Sequence, residues 1–122
     1  MIDISSKLPL LESAHHLAYY FPSSHGRESD TISSHILQFK DNQEPFVTKW
    51  IDLVISEVDS LPLVDFIVRV LGSDETSASG NTSLDKLGRA MAEATDAKDC
   101  PTWVEKTRQT QPLKFMGKAA RQ

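Results

Sequence analysis

The sequence predicts an α/β domain built around a short parallel sheet, and three observations point to this class. Residues 64–71 form a nearly continuous apolar run rich in β-branched side chains, which is typical of a strand buried on both faces. A polar loop and then a helical apolar pattern over residues 84–94 follow this run. A second apolar segment at residues 102–105 completes the order strand, helix, strand, which is the unit that builds parallel sheets.

The composition is that of one folded domain. The chain has 122 residues, of which 39% are hydrophobic and 25% are charged, close to the average for globular proteins. No apolar run approaches the ~20 residues of a membrane helix, and the first residues lack the pattern of a secretory signal. The single cysteine, Cys100, excludes an internal disulfide and a cysteine-rich zinc site. We therefore expect one cytoplasmic domain over residues 1–122, with no membrane partner and with Cys100 as a buried or half-buried small residue.

Helical patterns precede the apolar strand. The sequence predicts helices over residues 8–21, 31–40 and 41–58, which would pack on or beside the sheet. The last of these carries an apolar stripe that we interpret as core: Phe46, Trp50, Leu53, Val54 and Val58. The four histidines show no metal-ligand spacing, so we predict no metal site among them.

The loop between Gly72 and Ser83 is the candidate ligand site. Ligands bind outside the carboxyl ends of parallel strands, and this loop offers hydroxyls, backbone amides and a helix N-terminus to an anion. It contains no recognised nucleotide-binding fingerprint, so a plain surface connection is the alternative. Gly80 permits a positive φ, and Asn81 either caps the helix or meets a ligand, with Thr82 or Ser83 as other candidate caps.

Charge is unevenly distributed along the chain. The net charge is −4, yet the segment from Pro101 to the end carries five basic residues and one acid, Glu105. A basic segment on an acidic body attracts phosphates, although a solvated terminus has the same composition. Binding to nucleic acid ranks behind other functions, because aromatic side chains are sparse in this segment.

Four segments in the same order resemble the ComF-like phosphoribosyltransferases, a type I phosphoribosyltransferase family. They are "ILQFK" at the end of a helix, the strand "DFIVRV", the helix start "SGNTSLDKLGRAMAEAT" and the terminal "VEKTRQTQPLKFMGKAARQ". The resemblance implies a hood-like helix and loop over residues 1–30. It also implies a truncated phosphoribosyltransferase-like core over residues 31–122. The family's aromatic between Gly and Asn, its zinc ribbon and its acid-pair phosphate loop have no counterpart here.

The resemblance also implies roles for particular residues. Lys106 and Arg108 would stabilise departing pyrophosphate as catalytic cations. The residues that would contact phosphate or pyrophosphate are Arg69, Gly72, Ser73, Asp74, Glu75, Thr76, Gly80, Asn81, Gln111 and Arg121.

Two functions follow as expectations. The first is a phosphoribosyltransferase-family protein or fragment that binds a phosphorylated ribose or pyrophosphate ligand, such as phosphoribosyl pyrophosphate or a nucleotide. It would be inactive as a transferase on its own, and Mg²⁺ would take part only if a partner completes the site. The second is a non-catalytic interaction or regulatory module derived from that fold. In either case a sheet cut short exposes an unpaired edge, which predicts a homodimer or a partner chain that covers it.

Overall fold

The computed structural model describes residues 1–8, 10–17 and 31–110 and shows a mixed α/β fold. Two small sheets are present in this part of the chain, one antiparallel and one parallel. None of its helices is both long enough and apolar enough to cross a membrane. The elements are β1 (Ile2–Asp3), β2 (His15–His16), α1 (Thr31–Lys40), α2 (Phe46–Ser56), β3 (Phe66–Ile67), α3 (Ser83–Thr95) and β4 (Lys98–Asp99).

The amino-terminal region is extended where the sequence predicts a helix. β1 pairs antiparallel with β2, so Ile2 lies opposite His16. Ala14 accepts a hydrogen bond from the Ile4 amide at 2.8 Å. The predicted helix over residues 8–21 is therefore wrong for residues 10–17, and residues 18–21 lie outside the described part. Pairing with a distant strand has overridden a local helical pattern.

Helices α1 and α2 occupy much of the predicted ranges, but the apolar stripe of α2 is shifted. Val47 is the most deeply buried residue of the helix at 1% exposed, and Val58 just beyond it is also buried. Leu53, predicted to be core, is 43% exposed. The helix begins at Phe46, after Pro45. The face that packs against the rest of the molecule therefore centres on Val47 rather than on Leu53.

The predicted strand–helix–strand unit is present, with changed strands. β3 lies within the predicted range 64–71 and pairs in parallel with β4, with Phe66 opposite Lys98. The second strand predicted at residues 102–105 is wrong, because Pro101–Trp103 forms a short 3₁₀-helix. Proline has no amide proton to give to a strand ladder and suits the first position of a helical turn. Cys100, at 4% exposed, has the buried position predicted for it.

The expectation that the first strand is buried on both faces is also wrong. Ile67 and Arg69 point towards α3, where Ile67 approaches the Cβ position of Gly88 and Arg69 bonds to Asp85. Phe66 and the residues two and four positions on point the opposite way and are exposed, because side chains alternate along an extended strand. Helix α3 thus covers one face of the parallel pair, and the loop after β3 runs to the start of that helix.

Candidate functional site

The loop after β3 and the segment after β4 lie together. The amide of Lys106 donates to the carbonyl oxygen of Thr76 at 2.8 Å, and the amide of Thr110 donates to that of Ser73 at 2.8 Å. These two backbone bonds join residues 72–76 to residues 106–110. The structure therefore brings together the polar loop and the first part of the basic segment that the sequence analysis assigned to one site.

Lys106 holds this junction rather than facing outwards. Its Nζ donates to the carbonyl oxygens of Gly72 at 2.6 Å and Ser73 at 3.2 Å, and to the hydroxyl of Thr110 at 3.4 Å. An ammonium group has three protons, so these acceptors use all of them. In this arrangement Lys106 neutralises loop carbonyls and has no donor left for a ligand.

Arg69 is also occupied by the protein itself. Its Nε donates to Asp85 at 2.6 Å, and its Nη1 donates to Glu75 and to the carbonyl of Val70, each at 3.0 Å. Its Nη2 bonds to the second oxygens of Glu75 and Asp85. A guanidinium has five N–H donors, and all five have acceptors here. Arg69, expected to contact phosphate, instead ties the loop and helix α3 together through two carboxylates.

Asp85 organises the start of α3. Its carboxylate accepts from the amides of Gly80 at 3.0 Å and Thr82 at 3.1 Å, and from the Thr82 hydroxyl at 2.9 Å. The Thr82 hydroxyl in turn accepts from the Asp85 amide, which completes a capping box. With Arg69 on its other side, Asp85 is 3% exposed and its charge is balanced.

The buried carboxylates are held in their charged forms. Burial opposes ionisation of Asp85, but hydrogen bonds from Arg69 and Thr82 and the charge of Arg69 outweigh it, so the pKa of Asp85 lies below its usual value. Hydrogen bonds from Arg69 likewise lower the pKa of Glu75. The same bonds, chiefly those to Glu75, raise the pKa of Arg69 above its usual value. All three groups are charged at neutral pH.

The Gly80-Asn81 pair shapes the entry to the helix. Gly80 has φ of +89°, as expected for a glycine at this turn. Asn81 is not the cap; its carbonyl accepts from the side-chain amide of Asn42 at 3.2 Å, and Thr82 is the N-cap. The pair therefore turns the chain so that Gly80 and Thr82 can donate to Asp85.

We expect Gly80→Ala to lower the free energy of unfolding by about 1 kcal/mol, because a Cβ is disfavoured at positive φ. The site has open space around the added methyl, so the backbone and not a clash sets the cost. Urea unfolding of both proteins measures the difference. An unchanged midpoint would contradict this expectation.

A cleft of about 870 Å³ lies between this loop, the end of α1 and the start of α3. The Lys40 side chain at the end of α1 is exposed and has no hydrogen bond or ion pair with any residue that the structure describes. Asp74 in the loop is exposed and contributes a carboxylate that is not engaged by Arg69. The residues that line the cleft are Phe39, Lys40, Arg69, Gly72, Ser73, Asp74, Glu75, Thr76, Ser77, Ser79, Thr82, Ser83 and Leu84.

Ser83 is the most buried residue of this lining, at 3% exposed. Its hydroxyl has no hydrogen bond to any of the described residues, but it is not a buried atom left without a partner; among the described residues that position belongs to Nε1 of Trp50. The backbone amides of Ser83 and Leu84, the first two of α3, also have no acceptor in the described part of the chain. The first amides of any α-helix lack acceptors within the helix. The start of α3 therefore offers two backbone amides, and beside them the Ser83 hydroxyl, to a ligand in the cleft.

The remaining candidate residues differ in what the structure says of them. Arg108 is exposed and bonds to none of the described residues. Gln111 and Arg121 lie outside the described part, so their assignment stays a prediction. Within the described ranges, no group of three or more histidine, cysteine, aspartate or glutamate side chains is arranged to hold a metal ion. Arg69 engages Glu75, so Asp74 supplies the unengaged carboxylate of the cleft lining, and the expectation for Mg²⁺ stays a prediction.

Sequence reasoning missed three residues of this region. The role of Asp85 could have been found from the sequence, because an acidic residue three positions after Thr82 is the pattern of a capping box. Ser83 was considered only as a cap. Lys40 carried no signal, since it reaches the cleft through the packing of α1 against the rest of the fold.

Comparisons of this chain with protein-family models, with curated proteins and with solved structures found no match. The resemblance to phosphoribosyltransferases thus stays a prediction that rests on the order of four short segments.

Proposed function

We propose that this chain binds a ligand carrying a phosphate or pyrophosphate group in the cleft at the start of α3, and that it performs no transferase chemistry on its own. The observation that carries the proposal is the start of α3, where Ser83 and Leu84 line the cleft and their amides have no acceptor among the described residues. The phosphoribosyltransferase resemblance supports a phosphorylated ribose as the ligand class, and the geometry supports the anionic group.

The start of α3 suits an anionic oxygen. The aligned peptides of a helix place about half a positive charge at its N-terminus, carried by amides such as those of Ser83 and Leu84. Asp85 accepts from Gly80 and Thr82, outside the helix, and leaves these two amides unused. Lys40 adds a full positive charge to the same cleft. A phosphate oxygen bound here would complete hydrogen bonds that the protein leaves open.

The charges around the cleft argue against catalysis by this chain alone. Pyrophosphate departure needs cations that meet the developing charge. Arg69 is committed to Glu75 and Asp85, and Lys106 is committed to loop carbonyls. Asp74 adds a negative charge to the lining. Binding through Ser83 and Lys40 is compatible with these contacts, whereas transition-state stabilisation by Arg69 or Lys106 requires breaking them.

Isothermal titration with pyrophosphate, ribose 5-phosphate and ribose tests the ligand class. We expect the two phosphorylated ligands to bind and ribose to give no heat of binding. Lys40→Gln should weaken pyrophosphate binding by up to about fivefold, since an exposed ion pair contributes up to ~1 kcal/mol. Ser83→Ala should weaken it by a similar factor through the lost hydroxyl. Asp74→Asn should tighten it, because it removes a like charge from the cleft.

Lys49→Gln is the matched control, because Lys49 is an exposed lysine on α2 that does not line the cleft. Its affinity for pyrophosphate should equal that of the unmodified chain. Equal weakening by Lys40→Gln and Lys49→Gln would mean that only overall charge matters, and would contradict a site at α3. Absence of binding by pyrophosphate at millimolar concentration would also contradict it.

A second candidate function, association with another chain, is favoured by a different observation. Phe66 in β3, and Val68 and Val70 in the segment directly after β3, are apolar and exposed. Such a surface is compatible with the non-catalytic module expected from the sequence.

A further inference from the structure

The Glu75 carboxylate lies among donors that also suit the oxyanion of a free ligand. Nη1 of Arg69 donates to Oε1 of Glu75 at 3.0 Å, and Nη2 donates to Oε2. The amide of Gly72 donates to the same Oε1 at 2.9 Å. A guanidinium fork and a backbone amide that converge in this way are donors that proteins use to bind phosphate. We name the two Nη groups of Arg69 and the Gly72 amide the anion cradle.

The anion cradle belongs to the cleft at the start of α3. Arg69, Gly72 and Glu75 all line this cleft, together with Ser83 and Leu84. The cradle follows β3, at the carboxyl end of the parallel pair, where the ligands of such sheets bind. The cleft volume of about 870 Å³ has room for a ligand with two linked anionic groups, one at the helix start and one in the cradle.

Of the two carboxylates that bind Arg69, that of Glu75 is the one able to give way. The Asp85 side chain is 2% exposed and also accepts from the amides of Gly80 and Thr82. The Glu75 side chain is 21% exposed, and its bonds to Arg69 are those of the anion cradle. Rotation of the Glu75 side chain into water therefore opens the cradle, while Asp85 keeps Arg69 in position through Nε.

The backbone of the loop is held on both sides of Glu75. Residues 106–110 donate hydrogen bonds to the carbonyl oxygens of Ser73, Asp74 and Thr76, at 2.8, 2.6 and 2.8 Å. Opening of the cradle is therefore confined to one side chain and needs no movement of the loop. A side chain tethered this closely acts at an effective concentration on the order of millimolar, so it competes with a free ligand.

We propose that Glu75 is an internal competitor of the ligand: its carboxylate fills the anion cradle, and a phosphate group of a diphosphate ligand takes its place on Arg69 and Gly72. This inference rests on the proposed function, because the competing ligand is the one bound at the start of α3. Displacing Glu75 breaks its own hydrogen bonds to Arg69. The unmodified chain therefore binds pyrophosphate more weakly than it would with the cradle already open.

Isothermal titration of Glu75→Gln with pyrophosphate tests the competition. Glutamine has the length of glutamate, but its neutral amide is a weaker acceptor for Arg69 than a carboxylate is. We expect the affinity for pyrophosphate to rise at least about tenfold, because the charged hydrogen bonds of the cradle become available to the ligand. The rise should be smaller for ribose 5-phosphate, whose one phosphate group cannot occupy the helix start and the cradle together.

Asp74→Asn is the matched control, because it removes the same charge from the same loop at a residue that does not bond to Arg69. Screening by solvent should limit its effect on pyrophosphate affinity to about fivefold or less. Equal increases for Glu75→Gln and Asp74→Asn would overturn the inference, since both would then report only the charge of the cleft.

The amide resonance of Gly72 gives a second readout, and it needs no substitution. In a nitrogen–proton correlation spectrum of the unmodified chain, this resonance should shift as pyrophosphate is added, because its acceptor changes from Glu75 to phosphate. If the resonances of Ser83 and Leu84 shift and that of Gly72 does not, the inference is wrong and the proposed function stands. Absence of binding by the unmodified chain and by both variants would contradict the two together.

Discussion

Replacing Arg69 by methionine is expected to reduce the free energy of unfolding by about 3–5 kcal/mol, the usual cost of removing one partner from a buried ionic group. The Arg69 side chain is 7% exposed, and those of Glu75 and Asp85 are 21% and 2% exposed. Methionine matches much of the volume but supplies none of the five donors. Glu75 and Asp85 would then lie near each other without a cation between them.

Urea unfolding measures this loss, with two comparison variants. Arg69→Lys keeps the positive charge but lacks the guanidinium donors that bind both carboxylates. It should therefore be less stable than the unmodified protein but more stable than Arg69→Met. Arg108→Met removes an exposed arginine that bonds to none of the described residues and should change stability by less than about 0.5 kcal/mol. If Arg69→Met cost no more than Arg108→Met, the ionic cluster would not stabilise the fold.

The second large effect is the dependence of stability on acid, which Asp85→Asn should weaken. The pKa values of Asp85 and Glu75 are lowered in the folded protein, so the unfolded chain binds more protons in acid. Their contribution is complete above the pKa values of the unfolded carboxyls and is lost as pH falls below those values and through the lower pKa values of the folded protein. At neutral pH, Asp85→Asn should cost about 2–3 kcal/mol through weakened charged hydrogen bonds.

The measurement is a series of urea unfolding curves from neutral to acidic pH. For Asp85→Asn, the free energy of unfolding should be lower at neutral pH and should decrease less steeply with acid, because the variant lacks one titrating carboxyl group. Asp52→Asn provides the control, since Asp52 is an exposed acid on α2 and its pH profile should follow the unmodified protein. Parallel profiles for Asp85→Asn and the unmodified protein would contradict a lowered pKa at Asp85.

The parallel unit was predictable in kind but not in its second strand. The apolar run at 64–71 marks the place of β3, although Val64, Phe66, Val68 and Val70 are exposed and only Ile67 and Arg69 point towards α3. β4 consists of Lys98 and Asp99, two polar residues that show no strand periodicity. The apolar pair Trp103 and Val104 has the side chains of a strand, yet Trp103 packs on Phe66 from a helical turn.

The candidate site was predictable in position but not in the state of its charges. Ligand-binding loops follow parallel strands, so the importance of the loop after Gly72 could be derived from strand order. The sequence does not reveal which charges neutralise one another. Arg69 and Lys106 were assigned to a ligand, and the structure gives their donors to Glu75, Asp85 and loop carbonyls. Lys40 was missed because it reaches the cleft through tertiary packing alone.

The parallel pairing of Phe66 with Lys98 also sets an order of events during synthesis. At an elongation rate of ~5–20 residues per second, β3 emerges from the ribosome a few seconds before β4 does. During that interval the nascent chain shows Phe66, Val68 and Val70 with neither a neighbouring strand nor a folded helix beneath them. Chaperones that bind short apolar segments could therefore bind these residues before the rest of the parallel unit has been synthesised.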